Sequence, residues 1–273
     1  MKRNFAIYLA IILFISGSLI LSSCQSSANK NKQSSDEKEA VQQEQTGSPD
    51  NTLSSQEKED GWLLLFDGKT TDGWRGYNKA AFPDSGWVVG DGTLRCVGSG
   101  QGEAGGKGGD ILYDKRFKDF RLRLDWKISQ GGNSGILYLG KEIDGEPVWK
   151  SAPEMQILDN ERHPDAMLGK NGNRQAGSLY DLIPADPQNT KPAGEWNNVE
   201  IMVYQGTVVH KQNGEVVLEY HLGTPDWDSL IANSKFADYP EFGKYRNGYI
   251  TLQDHGNDVW FKNIRIKDLG QQN

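Results

Sequence analysis

The sequence predicts an all-β fold, a jelly-roll β-sandwich of two antiparallel sheets, and three observations carry that expectation. Apolar residues recur in short alternating runs separated by Gly, Asn and Asp, as antiparallel strands and their turns require. The chain of 273 residues holds 32 Gly, 8 Trp and 10 Tyr against 4 Met and 2 Cys, a composition of sheets, turns and aromatic surfaces and not of a helical bundle. No strand–helix–strand alternation and no repeat period is visible, which argues against a parallel sheet.

In chain order, MKRNFAIYLAIILFISGSLILSSC has a basic start, an apolar stretch and small residues before Cys24, the layout of a cleaved secretory signal over residues 1–23. Leu21-Ser22-Ser23-Cys24 resembles the lipobox of bacterial lipoproteins, which implies that Cys24 is lipidated. Each buried acyl methylene contributes about 0.8 kcal/mol, so several chains would hold the protein on a membrane of the bacterial cell envelope, facing the periplasm or the surface. Cys96 is then the only other thiol, so no intramolecular disulfide forms, and its setting in TLRCV reads as a packed small residue. Residues 24–60 are polar almost throughout and predict a disordered tether. Hydrophobic residues return at Trp62, and one folded domain is expected over residues 61–269. The formal charge of −7 disfavours nucleic acid as a partner.

Inside the domain, FRLRLDWKIS puts Phe120, Leu122, Leu124, Trp126 and Ile128 on one face and Arg121, Arg123, Asp125 and Lys127 on the other. WNNVEIMVY repeats the pattern through Val199, Ile201 and Val203. TVVHKQ and EVVLEY flank Asn213-Gly214, a pair that accepts the positive φ angles of a type I′ hairpin. YITLQD and DVWFKNIRIK complete the strands, and PDWDSLIANSKF, residues 225–236, is the one stretch with a helical rhythm. The Gly-rich run GSGQGEAGGKGGD, residues 98–110, lacks the spacing and following helix of a phosphate loop and reads as a loop beside a site.

The candidate site begins in APEMQILDNERHP, residues 152–164. Strand alternation places Glu154 and Gln156 on one face while Met155 and Ile157 fill a core, and Asp159 joins them only if a β-bulge adds one residue. Further polar and aromatic residues stand near expected strand ends: Asn133 and Ser134 in GGNSGI, Arg174 and Tyr180 in RQAGSLYDL, Trp196 in GEWN, His210 in VVHKQNG, and Gln253 and His255 in LQDHGNDVWF. Such a set suits a sugar, because a pyranose pairs its apolar face with aromatic rings and its hydroxyls with amides, carboxylates and Arg. His163, His210 and His255 with Glu154 and Asp159 also supply donors for a divalent metal, although no ligand spacing among them is diagnostic.

The ordered series LFDGKTTDGW, FRLRLDWKISQGGNSGI, PEMQILDN, AGSLYDL, GEWNNVEI, NGEVV and LQDHGNDVWFKNIRI resembles the 3-keto-disaccharide hydrolase family, whose domain is also named 3-keto-α-glucoside 1,2-lyase/3-keto-2-hydroxy-glucal hydratase. The resemblance runs from about Gly61 to Leu269 and implies a concanavalin A-like jelly roll acting on 3-keto-glycosides. A local departure is the polar pair Lys211-Gln212 before the Asn213-Gly214 turn. A C3 ketone acidifies the C2 proton and places the C1 oxygen β to the resulting carbanion, so a base starts an elimination, and water then adds to the glycal. On that chemistry Glu154 and Asp159 are candidates for base and for acid or metal ligand, and His255 for a proton shuttle. Gln156, Asn133 and Arg174 would orient the sugar. Two rivals remain open at this stage: a conventional hydrolase with two carboxylates flanking the glycosidic bond, and a lectin-like module that binds glycan without chemistry.

Overall fold

A computed structural model describes residues 49–100 and 106–270; the signal segment, Cys24 and residues 25–48 of the expected tether lie outside the described residues. Among the described residues thirteen strands form two antiparallel sheets packed face to face, the expected jelly-roll sandwich. The larger sheet contains β1 (Trp62–Leu64), β3 (Trp87–Gly90), β4 (Thr93–Cys96), β6 (Phe120–Ile128), β9 (Asn197–Tyr204), β10 (Thr207–Gln212), β11 (Glu215–His221) and β13 (Val259–Asp268). Its order is β11-β10-β9-β6-β13-β4-β3, with β1 also paired to β13. The smaller sheet contains β2 (Trp74–Gly76), β5 (Ile111–Tyr113), β7 (Asn133–Gly140), β8 (Glu154–Leu158) and β12 (Tyr249–Leu252), in the order β2-β5-β12-β7-β8.

Alternation drives this layering. Leu122, Leu124, Trp126 and Ile128 of β6 are buried and share the core with Ile136 and Tyr138 of β7 and Met155 and Ile157 of β8. Each large apolar side chain taken out of water contributes about 1.5–3 kcal/mol, so the inward parity of β6 is strongly held. Asn213 and Gly214 take φ of 49° and 90° between β10 and β11, the expected tight hairpin. The helical stretch resolves into α2 (Pro225–Ala232), capped by Thr224, and a 3-10 turn at Lys235–Asp238 capped by Ser234.

Two expectations are corrected here. The domain begins before Gly61: residues expected in the tether form α1 (Ser55–Glu59), closed by a capping box between Ser54 and Glu57. Asn51 is buried; its N–H donates to Asn263 Oδ1 (2.6 Å) and its amide to the Gly92 carbonyl (2.8 Å). Arg265 donates to Glu57 at 2.7 Å. Polar composition misled because this segment docks by hydrogen bonds and ion pairs to β13, with no buried apolar residue in its helix.

His210, expected near the sugar, lies in the core. Its Nδ1 is 3.2 Å from the Gly177 carbonyl, which only accepts, so Nδ1 carries the proton and Nε2 accepts from the Tyr138 hydroxyl at 2.8 Å. Burial pulls its pKa down to about 4. It ties β10 of one sheet to β7 of the other.

Candidate active site

The site lies on the outer face of the smaller sheet. Because Met155 and Ile157 point into the core, Glu154 and Gln156 point outward on β8, as alternation requires. The neighbouring strand makes room: Gly135 pairs with Gln156, and a Cβ on Gly135 would collide with the Glu154 carboxyl oxygen. The free edge of β8 is covered by residues 177–180. Gln156 N–H donates to the Ser178 carbonyl (3.1 Å), and Tyr180 N–H donates to the Glu154 carbonyl (3.0 Å), which sets Tyr180 beside Glu154.

A cavity of about 310 Å³ forms over this floor. Asn133 opens β7, while Gln253 and His255 follow β12; Gln253 is held by its N–H bond to the Gly135 carbonyl (3.0 Å). The 3-10 turn Val148–Lys150 brings Trp149, and the turn after α2 brings Lys235 and Phe236, followed by Tyr239. Trp149 and Tyr239 meet edge to face at 5.0 Å between centroids, an apolar wall opposite polar residues. The Gly-rich run ends nearby: Gly108 and Gly109 N–H groups donate to Asp254, between Gln253 and His255.

Glu154 is the strained centre of this arrangement. Its residue is 7% exposed, and its carboxyl has no hydrogen-bond partner among the described residues. Burial pushes its pKa up to about 8, with the charges of Asp110 and Asp165 adding to the rise and the Lys235 ammonium opposing it. Lys235 is itself lowered by burial, and its Nζ lies 4.1 Å from the Tyr180 ring centroid. Tyr180 donates its hydroxyl to Asp165 at 2.8 Å, and burial with that bond keeps it a phenol. Arg174 also donates to Asp165 (2.7 Å) and to Asp181 (2.5 Å), bracing the wall from behind. Gln253 Oε1 and His255 Nδ1 are buried without partners among the described residues. Such atoms cost roughly 1–3 kcal/mol each, so a bound hydroxyl is a natural partner.

Of the residues expected at the site, Glu154, Gln156, Asn133, Tyr180, Gln253 and His255 come together around the cavity. Asp159 does not. The β7–β8 register runs without a bulge to Asn133 opposite Leu158, and the Asp159 carboxylate accepts from the Gly131 (2.7 Å) and Glu161 (3.1 Å) N–H groups of the adjoining turns. Ser134 faces inward and donates to the Gln253 carbonyl (2.9 Å), and Arg174 stands one layer back. Trp196 is on the far side of the sandwich, against Lys127 and Lys262 of the larger sheet. His163 caps the turn at Pro164–Met167. With His210 in the core, the candidate metal donors are dispersed. Among the described residues no three or more His, Cys, Asp or Glu side chains are gathered for one ion.

Sequence reasoning missed Lys235, Phe236, Tyr239 and Trp149. A signal existed in Ser234, whose hydroxyl accepts the Phe236 N–H and starts a new turn, so that Lys235 leaves the helix.

Residues 61–267 match the 3-keto-alpha-glucoside-1,2-lyase-like domain family. A 3-keto-disaccharide hydrolase of Bacteroides thetaiotaomicron is 53% identical over 230 residues, spanning 77% of this chain and 79% of that protein. A provisionally named glycosyl hydrolase of Parabacteroides distasonis ATCC 8503 has a crystal structure with a TM-score of 0.71 and 32% identity, covering 81% of this chain and 100% of that one. A second such structure from the same strain has a TM-score of 0.57 and 25% identity, over 76% and 99% of the two chains.

Proposed function

The chain belongs to the 3-keto-alpha-glucoside-1,2-lyase-like family of glycoside-cleaving enzymes, and from that premise we propose that it cleaves 3-keto-glycosides by elimination followed by hydration. The observation that carries the reading is a count within the cavity: among the described residues Glu154 is the one carboxylate in its lining. A conventional glycosidase needs a second carboxyl group about 5 to 9.5 Å from the first. A desolvated acid poised near neutrality, facing a cation and an imidazole, is instead equipment for moving protons.

Glu154 takes the C2 proton, and the electron pair moves toward the C3 ketone oxygen, where the Lys235 ammonium holds the developing enolate. The enolate collapses to a C1–C2 double bond as the C1–O bond breaks, and His255 protonates the departing glycosidic oxygen. Water then adds across the double bond, hydroxyl to C1 and proton to C2, so the sum is hydrolysis. Gln156, Asn133 and Gln253 hold ring hydroxyls, and Trp149, Phe236 and Tyr239 cover the apolar face of the sugar.

The test is to supply matched 3-keto and unoxidised disaccharides, with a C2-deuterated version of the former. Fast release from the 3-keto sugar with a deuterium effect is expected; equal release from both sugars would defeat the elimination. The lipobox at Leu21–Cys24 supports an envelope location through a lipid on Cys24. Cys24→Ser should abolish incorporation of labelled palmitate, and unchanged labelling would remove that anchor.

A further inference from the structure

Trp196 takes no part in the cavity, and its surroundings on the opposite outer face form an ordered row. Val88 on β3 pairs with Arg95 on β4, Arg95 pairs with Trp260 on β13, and Trp260 pairs with Lys127 on β6. Trp126 pairs with Asn197, so the same register sets Trp196 beside Lys127. The row therefore crosses four strands at right angles and alternates cation and indole. Arg95 lies 4.9 Å from the Trp260 ring centroid, and Lys127 reaches both Trp260 (4.8 Å) and Trp196 (5.0 Å). Lys262 closes the far side of Trp196 at 4.7 Å.

Two features separate this row from ordinary surface packing. Both indoles are partly exposed, on the sheet opposite the cavity, with Asp50 of the N-terminal segment beside Lys262 at one end of the row. Lys127, at the centre, has no carboxylate within ion-pair distance among the described residues, whereas Arg95 pairs with Asp258 and Lys262 with Asp50. An unneutralised ammonium between two indoles stands out on a chain whose formal charge is −7.

We infer that this row is a second binding surface, for an acidic polysaccharide whose uronate carboxylates meet Lys127 while its sugar rings lie against Trp196 and Trp260. The indoles are two strands apart, about 9.5 Å, close to the advance of two sugar units in an extended chain. Carboxylate attraction supplies the charge complementarity that a neutral glycan lacks, and indole edges supply apolar contact. A membrane surface fits less well, because Trp196 and Trp260 are each only partly exposed and lie in line with cations along the sheet. The surface leaves the cavity on the opposite face unobstructed, so it would hold the enzyme on a polymer while small glycosides are cleaved.

The experiment is affinity electrophoresis of the full chain in detergent, in gels cast with polygalacturonate or with dextran. Retardation is expected in polygalacturonate alone, weakening in added salt, falling at least fivefold in Trp196→Ala and vanishing in Lys127→Glu. Turnover of a small soluble glycoside and the melting temperature should be unchanged in Lys127→Glu, a surface change that leaves the core intact. Lack of retardation of the natural chain, equal retardation of Lys127→Glu, or equal retention by dextran would each overturn the inference. Lys127-dependent binding to phosphatidylglycerol micelles without retardation by polygalacturonate would reassign the row to a membrane surface.

Discussion

A single carboxyl group shows how function and stability pull apart at the residue scale. The Glu154 pKa rises from an ordinary 4.5 to about 8 in the folded chain, because burial disfavours its charge. The native state is therefore the better proton binder: the group's contribution is complete below pH 4.5, declines as pH rises toward 8, and stays lost above it. Glu154→Gln removes that decline, so the variant should be more stable than the natural chain at pH 9, by up to a few kcal/mol on the scale of about 1.4 kcal/mol per pKa unit. Urea midpoints at pH 7 and pH 9, a window clear of the His210 and Asp110 limbs, measure this; a fall between the two that persists in the variant would acquit Glu154 of the strain. The same substitution should cut turnover of a 3-keto-glycoside by about 10²- to 10⁴-fold, and the natural enzyme should gain kcat/KM as pH approaches 8, since the base works ionised. Gly135→Ala probes the space the carboxyl occupies: its Cβ would displace Glu154, so turnover should fall at least tenfold with little change in folding. Glu154 and Gln156 were legible in the sequence because strand parity needs no more than local spacing. Lys235 was not, because its place follows from a helix ending at Asn233 and restarting as a tighter turn.

At the scale of elements, legibility tracked whether apolar periodicity or polar geometry holds a segment. β6 and the Asn213-Gly214 hairpin follow from patterns visible in ten residues. The segment before Gly61 did not, because α1 contains no buried residue and its attachment is made of Asn51, Glu57 and Asp50 bonding to Asn263, Arg265 and Lys262. A chain begun at Gly61 keeps every strand but leaves the Asn263 amide group, Arg265 and the Gly92 carbonyl without these partners. Each intramolecular bond exchanged for one to water costs about 0.5–1.5 kcal/mol net, so the truncated chain should melt several degrees below one begun at Pro49, with turnover per folded molecule retained. Equal melting temperatures would mean that α1 contributes nothing to the fold. Asp159 failed for a related reason: its expected role required a bulge, and the regular β7–β8 ladder leaves its carboxylate bonding turn N–H groups.

Across the whole molecule, the two sheets are joined by apolar packing and by a polar cluster that no periodicity could announce, in which the Tyr138 hydroxyl of β7 meets His210 of β10 and Tyr220 of β11. His210 was singled out as a polar residue in an apolar strand, but alternation on β10 does not distinguish a ligand-facing imidazole from one that crosses the core. The folded structure decides it, since Tyr138 lies within 2.8 Å and Gly177 within 3.2 Å. The consequence is a pH limb opposite in sign to that of Glu154. With its pKa lowered from 6.5 to about 4, His210 is neutral in the native state, so its contribution is full above pH 6.5 and is lost as pH falls toward 4. One proton taken up only on unfolding gives a loss of about 3 kcal/mol over that window. Asp110, raised to about 6 by burial, and Glu154, raised to about 8, both add stability as pH falls through the same window and offset that loss. His210→Gln keeps groups that can donate and accept but cannot titrate. It should lower stability at pH 7 by about 1–3 kcal/mol, through an imperfect fit to Tyr138 and Gly177, while making stability rise more steeply than in the natural chain as pH falls from 6.5 toward 4.5, where Glu154 and Asp110 then act unopposed. Urea midpoints taken at half-unit steps through that range discriminate. A limb equally steep in both proteins would show that some other group carries the acid sensitivity and that the two sheets do not depend on a neutral imidazole between them.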